Sequence, residues 1–173
     1  PNPDVEQVVI CSPDKDMMQL VHDQKIVCLD RRRGITYDED AVIAKFGVLP
    51  TSIPDYLGLV GDAADGIPGV PRWGAKSTAI VLERYPHIEE IPDNVLIWDT
   101  SPRGAKSMAA SLKKYRTEAL LYKDLATLRF DAPLTESLDD LEWRGVHRSA
   151  YEKLCDELGF NTIRALPHRW DSE

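Results

Sequence analysis

The sequence has no long apolar run, little cysteine and no signal-peptide pattern. None of its apolar stretches approaches the roughly 20 residues that a membrane-spanning helix needs, so we expect no membrane partner. The three cysteines, Cys11, Cys28 and Cys155, are unevenly spaced, which argues against a disulfide framework or a zinc site and predicts buried free thiols. The opening PNPDVEQ lacks a basic n-region, and we expect further residues to precede it in the full protein.

The chain is also short of positive charge, with 21 Lys and Arg against 29 Asp and Glu and a net charge of −8. This balance argues against a general nucleic-acid coat protein. The charge is uneven, however, because residues 102–116 contain five basic side chains and no acid, whereas residues 131–142 contain five acids and no base. The basic segment predicts either a phosphate-contacting surface or a solvated helix face, and charge alone leaves both open.

Hydrophobic patterning divides the chain into a small α/β portion and a longer helical portion. Residues 6–12 and 25–30 are apolar, β-branched runs typical of buried strands, and a short helix is predicted over 14–23 between them. This order predicts the end of an α/β sheet. Further helices are predicted over 37–48, 51–62, 74–86, 104–130 and 147–160. The predicted fold is therefore mainly α with a small α/β portion, with domains at 1–36 and 37–173.

Two pairs of aspartates are the first candidates for chemistry. Asp14 and Asp16 follow the first strand, where ligands gather in open α/β sheets, and Asp62 and Asp65 lie three apart in the turn GDAADGIPGV. Each pair can direct two carboxylates at one point, and Mg²⁺ prefers carboxylate oxygens and water. Either pair alone is also typical of aspartate in an ordinary turn. Four such acids close together would repel one another unless a cation lay among them.

The segment GVPRWGAKS, residues 69–77, combines a glycine-rich turn with the start of a helix. Unpaired N–H groups at a helix start favour an anion, and Lys76 and Ser77 add a positive charge and a hydroxyl donor. This pattern predicts a sequence-independent phosphate clamp, and the alternative is an ordinary αα-hairpin with a glycine turn. Trp73 lies at the hairpin tip, where we favour core packing over stacking against a sugar or base. The other tryptophans are predicted to pack inside, and GAKS recurs at 104–107.

These motifs resemble those of the 5′→3′ exonuclease and flap endonuclease family, which includes the nuclease domain of bacterial DNA polymerase I and stand-alone bacterial relatives. CSPDKDMMQLV (11–21) resembles the family's D-K-D motif. DYLGLVGDAADGIPGVPRWGAKSTAIVL (55–82) resembles its second acidic motif and its helix–three-turn–helix element. EALLYKDLATLRFDAPL (118–134) resembles the end of its helical domain. The likeness runs from about residue 6 to 160, and the order and spacing of the two acidic motifs make it specific.

The resemblance implies the end of a PIN-like α/β sheet followed by a helix–three-turn–helix domain. It implies hydrolysis of DNA phosphodiesters with Mg²⁺ or Mn²⁺, near a 5′ end or a flap, and no small-molecule substrate. It also implies a bacterial protein of the cytoplasm, associated with the nucleoid. We expect the isolated chain to be inactive or nearly so, because nothing in it matches the family's upstream acidic and basic motifs.

The resemblance also assigns roles to residues. Asp14, Asp16, Asp62 and Asp65 match the acids that hold the divalent metal cluster, which activates water and stabilises the leaving oxygen. The DNA-binding set comprises Arg72, Trp73, Gly74, Ala75, Lys76 and Ser77 of the matching hairpin, with Arg103 and Lys106 from the basic segment. In stand-alone relatives main-chain carbonyls of the hairpin hold K⁺, and the matching positions are Leu59, Val60, Pro68, Val70 and Trp73.

Three departures from the family pattern bear on these roles. Gly66 stands where the family usually has Asn, and Arg72 and Trp73 replace the usual Gly-Ile, which puts the K⁺ site in question. The third departure is the lack of the upstream motifs, which would precede Pro1. Two other functions therefore stay open: a non-catalytic module that recognises duplex or branched DNA, and a metal-dependent, phosphatase-like α/β protein with an unrelated helical cap.

Overall fold

Three short strands begin the part of the chain that the computed structural model describes, residues 5–171. β1 (Val8–Ile10) and β2 (Ile26–Asp30) run parallel, and β3 (Ile35–Tyr37) pairs with β2 in the antiparallel sense. A 3₁₀ helix, Asp16–Leu20, connects β1 and β2, which confirms the predicted strand–helix–strand order. β3 was not predicted, because three residues are too few to show an alternating pattern.

The parallel pairing of β1 and β2 decides where the first acidic pair lies. Ile10 pairs with Cys28, so both strands end at the same edge of the sheet. The loop that leaves β1 at this edge carries Asp14 and then Asp16, the first residue of the 3₁₀ helix. Loops at the carboxyl ends of parallel strands form the usual ligand-binding edge of such sheets.

The predicted helices are confirmed, each within the predicted range. Their bounds are α1 Glu39–Phe46, α2 Ile53–Val60, α3 Ala75–Arg84, α4 Ala105–Ala126 and α5 Arg148–Leu158, with short 3₁₀ helices at Pro50–Ser52, Ile88–Glu90, Val95–Ile97, Asp139–Leu141 and Ile163–Ala165. Asp38 caps α1 by accepting the Ala41 N–H at 3.0 Å, and Gly47 ends it with a left-handed φ of 73°. In α4 the backbone departs from helical geometry at Tyr115, so the long helix is kinked once.

The core centres on α2, in which every residue from Ile53 to Leu59 is buried. Gly58 is needed there because a Cβ would lie 2.9 Å from the Lys123 backbone nitrogen of α4. This close approach packs α2 against the part of α4 around Ala119 and Lys123, and Ala119 is completely buried there. The helix that leads directly to the second acidic pair is therefore held in the best-packed part of the molecule.

Several burial predictions need correction. Cys28 and Cys155 are buried, but Cys11 is exposed because it lies just beyond the end of β1. Trp98 is buried, whereas Trp143 is 53% exposed in a segment with little regular structure. These five residues show that residue type alone does not decide which cysteine or tryptophan is buried.

The chain divides into two compact units, Pro1–Arg129 and Phe130–Glu173. The first contains β1 to β3 and α1 to α4. The second contains α5 and two short parallel strands, β4 (Val146–His147) and β5 (Trp170–Asp171). The domain boundary predicted between residues 36 and 37 stays a prediction. No helix in the described part of the chain is both long and apolar enough to cross a membrane.

Candidate metal centre and nucleic-acid interface

Three of the four predicted aspartates converge. Asp14, Asp16 and Asp65 each place one carboxylate oxygen within 4.8 Å of the others. Asp14 and Asp65 are exposed and Asp16 is half-buried, so the cluster opens to solvent on one side. Residues that are 49 positions apart in the sequence are thus brought to one point, as the metal prediction requires (65 − 16 = 49).

Local hydrogen bonds fix the first pair of aspartates. The Ser12 hydroxyl oxygen accepts the Asp14 N–H at 3.1 Å, and Asp14 Oδ1 accepts the Asp16 N–H at 3.1 Å. These are the turn contacts that short polar side chains make with the backbone two residues on. They hold Asp14 and Asp16 in place at the end of β1 before any ligand is present.

The second pair lies in a loop closed by a backbone bridge. Asp62 and Ile67 exchange two hydrogen bonds of 2.8 Å, and Asp62 Oδ1 accepts the Ala64 N–H at 3.0 Å. Gly66 has a φ of 72°, in the left-handed region that Asn also enters more readily than other residues. Gly66 adopts this conformation without the steric cost that a β-carbon would bring.

Asp62 is the most deeply buried of the four acids, with 2% of its surface exposed. Its Oδ1 lies 2.5 Å from the Lys15 ammonium, while its Oδ2 is buried without a hydrogen-bond partner. Asp16 Oδ1 is also buried and without a partner. Buried carboxylate oxygens that lack donors are costly, and a hard divalent cation is the ligand that oxygen-only sites of this kind accept. The donor set therefore fits a hard divalent cation.

The carboxylates of the cluster repel one another, and this repulsion shows in their pKa values. Burial, and after it the negative charges of Asp14, Asp65 and Asp62, raise the pKa of Asp16 to about 6 against the opposing effect of Lys15. Desolvation and the neighbouring Asp62 also raise the pKa of Asp65. Burial works to raise the pKa of Asp62 too, but hydrogen bonds from Lys15 and the Ala64 N–H outweigh it and lower that pKa. Lys15 alone does not balance the cluster.

A tight hairpin follows the second acidic pair. The Val70 N–H donates to the Leu59 carbonyl at 2.8 Å, which folds the loop back onto the end of α2. Gly69 has a φ of 72°, and a Cβ there would lie 2.6 Å from the Val60 carbonyl oxygen. Only glycine fits this contact. Four of the five carbonyls predicted for K⁺, those of Leu59, Val60, Pro68 and Val70, belong to residues of these packed segments.

The side chain of Trp73 turns away from solvent and packs in the protein core. It is 4% exposed, its ring packs on Trp98 with centroids 6.2 Å apart, and its Nε1–H donates to the Met108 carbonyl at 3.1 Å. The core packing that we favoured is confirmed, and the ring has no free face for stacking on a base. Any contact that Trp73 makes with a ligand must use its main chain.

Arg72 is strained. Its φ of 77° lies in the left-handed region, which costs a non-glycine residue about 1–2 kcal/mol. The family's usual glycine at this position would avoid that strain. The departure at Arg72 is therefore one of residue type in a backbone conformation that suits glycine, and it adds an exposed guanidinium to the hairpin.

We expect Arg72→Gly to stabilise the chain by about 0.5–1 kcal/mol, because the relief of strain exceeds the extra freedom of glycine in the unfolded chain. Urea denaturation measures the change. Arg72→Ala is the matched control, since it removes the guanidinium and keeps the left-handed φ. Equal stabilisation by both variants would assign the effect to the side chain and contradict the strain.

Two helix starts with the same sequence lie side by side. α3 begins after Gly74 and α4 after Gly104, and no side chain in the described part of the chain caps either start. The Ser77 hydroxyl lies 3.5 Å from the Arg103 carbonyl, which brings the two GAKS segments together. Lys76, Arg103 and Lys106 are all exposed. Apart from the buried Trp73 side chain, the two segments therefore form one basic surface, which we call the twin-start surface: residues 72–77 and 103–107.

Sequence reasoning missed Lys15 as a member of the acidic site. Its position between Asp14 and Asp16 was the available signal, because the side chain of a turn residue between two ligands lies close to both. Its partner Asp62, however, is 47 residues away in the sequence (62 − 15 = 47), and only the fold shows their contact.

Comparisons with known proteins identify the family that this chain matches and the relatives that it resembles. Residues 48–149 match the family described as 5′-3′ exonuclease, C-terminal SAM fold. DNA polymerase I of Bacillus subtilis is 34% identical over 161 residues, which cover 91% of this chain and 18% of that protein. The 5′-3′ exonuclease of Buchnera aphidicola subsp. Schizaphis graminum is 33% identical over 152 residues, which cover 87% of this chain and 52% of that protein. The chain thus spans about half or less of these curated relatives.

Solved structures share the fold. A T5 5′-exonuclease matches with a TM-score of 0.57 at 18% identity, over 70% of this chain and 47% of its own. A bacteriophage T5 flap endonuclease, described as a complex with DNA and metal ions, matches with a TM-score of 0.58 at 17% identity, over 70% of this chain and 43% of its own. The predicted fold, mainly helical with small sheets, is confirmed. Because the family match covers more than half of its residues, the chain belongs to the 5′-3′ exonuclease family.

Proposed function

We propose that the chain is the DNA-binding part, and one side of the metal centre, of a divalent-metal-dependent 5′→3′ exonuclease or flap endonuclease that hydrolyses DNA phosphodiesters. One observation carries the proposal: three carboxylates converge within 4.8 Å, and Oδ2 of the fourth, Asp62, is buried without a hydrogen-bond partner. Relatives named 5′-3′ exonuclease and a neighbour described as a flap endonuclease with DNA and metal ions support it. As a protein acting on DNA, it would work in the bacterial cytoplasm, at the nucleoid.

The metal side of the proposal rests on Asp14, Asp16, Asp62 and Asp65. These residues would hold Mg²⁺ or Mn²⁺, which supplies an activated water and stabilises the leaving oxygen of the phosphodiester. Asp16 and Asp62 present their unpartnered buried oxygens, while the exposed Asp14 and Asp65 close the outer side. At the hairpin, the carbonyls of the five predicted positions would hold K⁺.

The DNA side rests on the twin-start surface. Free N–H groups at the start of α3 favour an anion, and Lys76 and Ser77 add a cation and a hydroxyl next to them. Arg72, Arg103 and Lys106 extend the positive surface along a backbone of phosphates. Contacts of this kind position a duplex with a 5′ end or flap without reading its sequence.

Binding of a fluorescent duplex with a 5′ flap, measured by anisotropy across a salt series, tests the DNA side. We expect Lys76→Gln and Lys106→Gln each to weaken binding and to lower the slope of log affinity against log salt by about 1, because each removes one phosphate contact. Lys153→Gln, on α5 and paired with Glu157, is the control. Variants that bind like the unchanged chain would contradict the twin-start surface as the binding site.

The same DNA separates the candidate functions. Binding without any response to Mn²⁺ would favour the non-catalytic DNA-binding module. No binding even at low salt would leave the phosphatase-like alternative. Robust cleavage by the isolated chain would contradict the expectation that these residues form only one side of the catalytic centre.

A further inference from the structure

A lysine occupies the place of a cation in the acidic site. Lys15 Nζ lies 2.5 Å from Asp62 Oδ1, and the Asp62 side chain is 1% exposed while that of Lys15 is 34% exposed. The group of carboxylates within 4.8 Å of one another contains Asp14, Asp16 and Asp65 but, among the described residues, not Asp62. The most buried of the four predicted aspartates is therefore paired with the Lys15 ammonium, and the three more open aspartates form the cluster.

The pairing has a physical cause. A carboxylate as buried as Asp62 needs a counter-charge, since an uncompensated buried charge is strongly destabilising. Lys15 supplies one, yet it satisfies only Oδ1 and leaves Oδ2 without a partner. An ammonium is a compact point charge on a flexible stem, and with a third of the side chain exposed it can turn toward solvent.

We propose, on the basis of the metal-dependent function above, that Lys15 is a positioning residue that holds Asp62 in the metal-free protein and is exchanged for the divalent cation. Two positive charges at the same carboxylate repel each other, so the cation and the Lys15 ammonium compete for Asp62. The exchange keeps the deepest ligand in place before metal arrives, and it weakens metal affinity in return.

Lys15→Met tests the exchange, because Met keeps most of the side-chain volume and removes the charge. In the presence of EDTA we expect the melting temperature to fall by roughly 5 °C, since Asp62 loses its counter-charge. We expect Mn²⁺ affinity, measured by electron paramagnetic resonance or calorimetry, to rise about tenfold because the competitor is gone. The rise in melting temperature on adding Mn²⁺ should accordingly be larger in the variant than in the unchanged chain.

Lys45→Met is the matched control. Lys45 lines the same surface pocket as Asp14 and Asp62, but its ammonium lies over the Tyr37 ring at 4.1 Å from the centroid. An equal gain in Mn²⁺ affinity in this variant would reveal a general charge effect and overturn the exchange. An unchanged or weaker Mn²⁺ affinity in Lys15→Met would overturn it directly.

The exchange and the metal centre can fail separately. Mn²⁺ binding by the unchanged chain that is lost in Asp16→Asn supports the metal centre, whatever Lys15→Met shows. Absence of Mn²⁺ binding in both the unchanged chain and Lys15→Met would overturn the metal centre, and the exchange with it.

Discussion

Replacing Lys123 by Met is expected to lower the free energy of unfolding by about 3–5 kcal/mol, because it leaves a buried carboxylate without its counter-charge. Asp55, in the first turn of α2, is fully buried, and its Oδ1 lies 2.9 Å from Lys123 Nζ. The same oxygen accepts the Ile88 N–H at 2.8 Å, and Oδ2 lies 3.0 Å from His87 Nδ1. Lys123 also pairs with Glu89 at 2.8 Å, but Glu89 is exposed and can turn to solvent.

Urea denaturation at neutral pH measures this loss, and two further variants identify its cause. Lys113→Met, on an exposed position of the same helix, should change stability by less than about 0.5 kcal/mol. The double variant Asp55→Asn with Lys123→Met should recover most of the loss, since removing both charges leaves no unpaired ion. A double variant as unstable as Lys123→Met alone would show that packing, not charge, is what the lysine contributes.

This network also shows where prediction from the sequence ends. Asp55 looks like an ordinary acid in the first turn of a helix, where it favours the positive end of the dipole. Its burial becomes visible only when α4 is packed across α2, because the partner lysine is 68 residues away (123 − 55 = 68). The helices themselves follow from their own residues, through apolar spacing and signals such as Asp38 and Gly47.

The acidic site also has features that the sequence predicts and features that only the fold decides. The two aspartate pairs could be proposed as ligands because turn geometry and motif spacing are local properties of the sequence, and three of these four residues converge in the structure. Their unequal burial could not, since it depends on how the loop after α2 folds over the end of β1. The raised pKa of Asp16, which is half-buried among three other acids, is accordingly a property of the folded chain.

The second large effect concerns Asp16. In the folded chain its pKa is about 6 against an ordinary 3.8, so between these values the folded state keeps a proton that the unfolded state has released. The free energy of unfolding of the metal-free chain therefore falls as pH rises from about 4 to 6, and the loss is complete above that window. We expect Asp16→Asn to reduce this slope and to leave only the part that the raised pKa of Asp65 contributes, so that the variant matches the unchanged chain near pH 4 and is more stable at pH 7.

The same substitution should weaken Mn²⁺ binding by about a hundredfold at pH 7, since a ligand with an unpartnered buried oxygen is lost. In the unchanged chain Mn²⁺ affinity should rise with pH through the same window, because the metal requires the ionised carboxylate. Denaturation and Mn²⁺ titration at several pH values measure both effects, with Asp124→Asn, on an exposed position of α4, as the control. The lowered pKa values of Asp62 and Glu89 cause acid destabilisation below about pH 4 in every one of these proteins, so the difference between variants isolates Asp16. If stability changed with pH in the same way for Asp16→Asn and the unchanged chain, the raised pKa of Asp16 in the folded state would be contradicted.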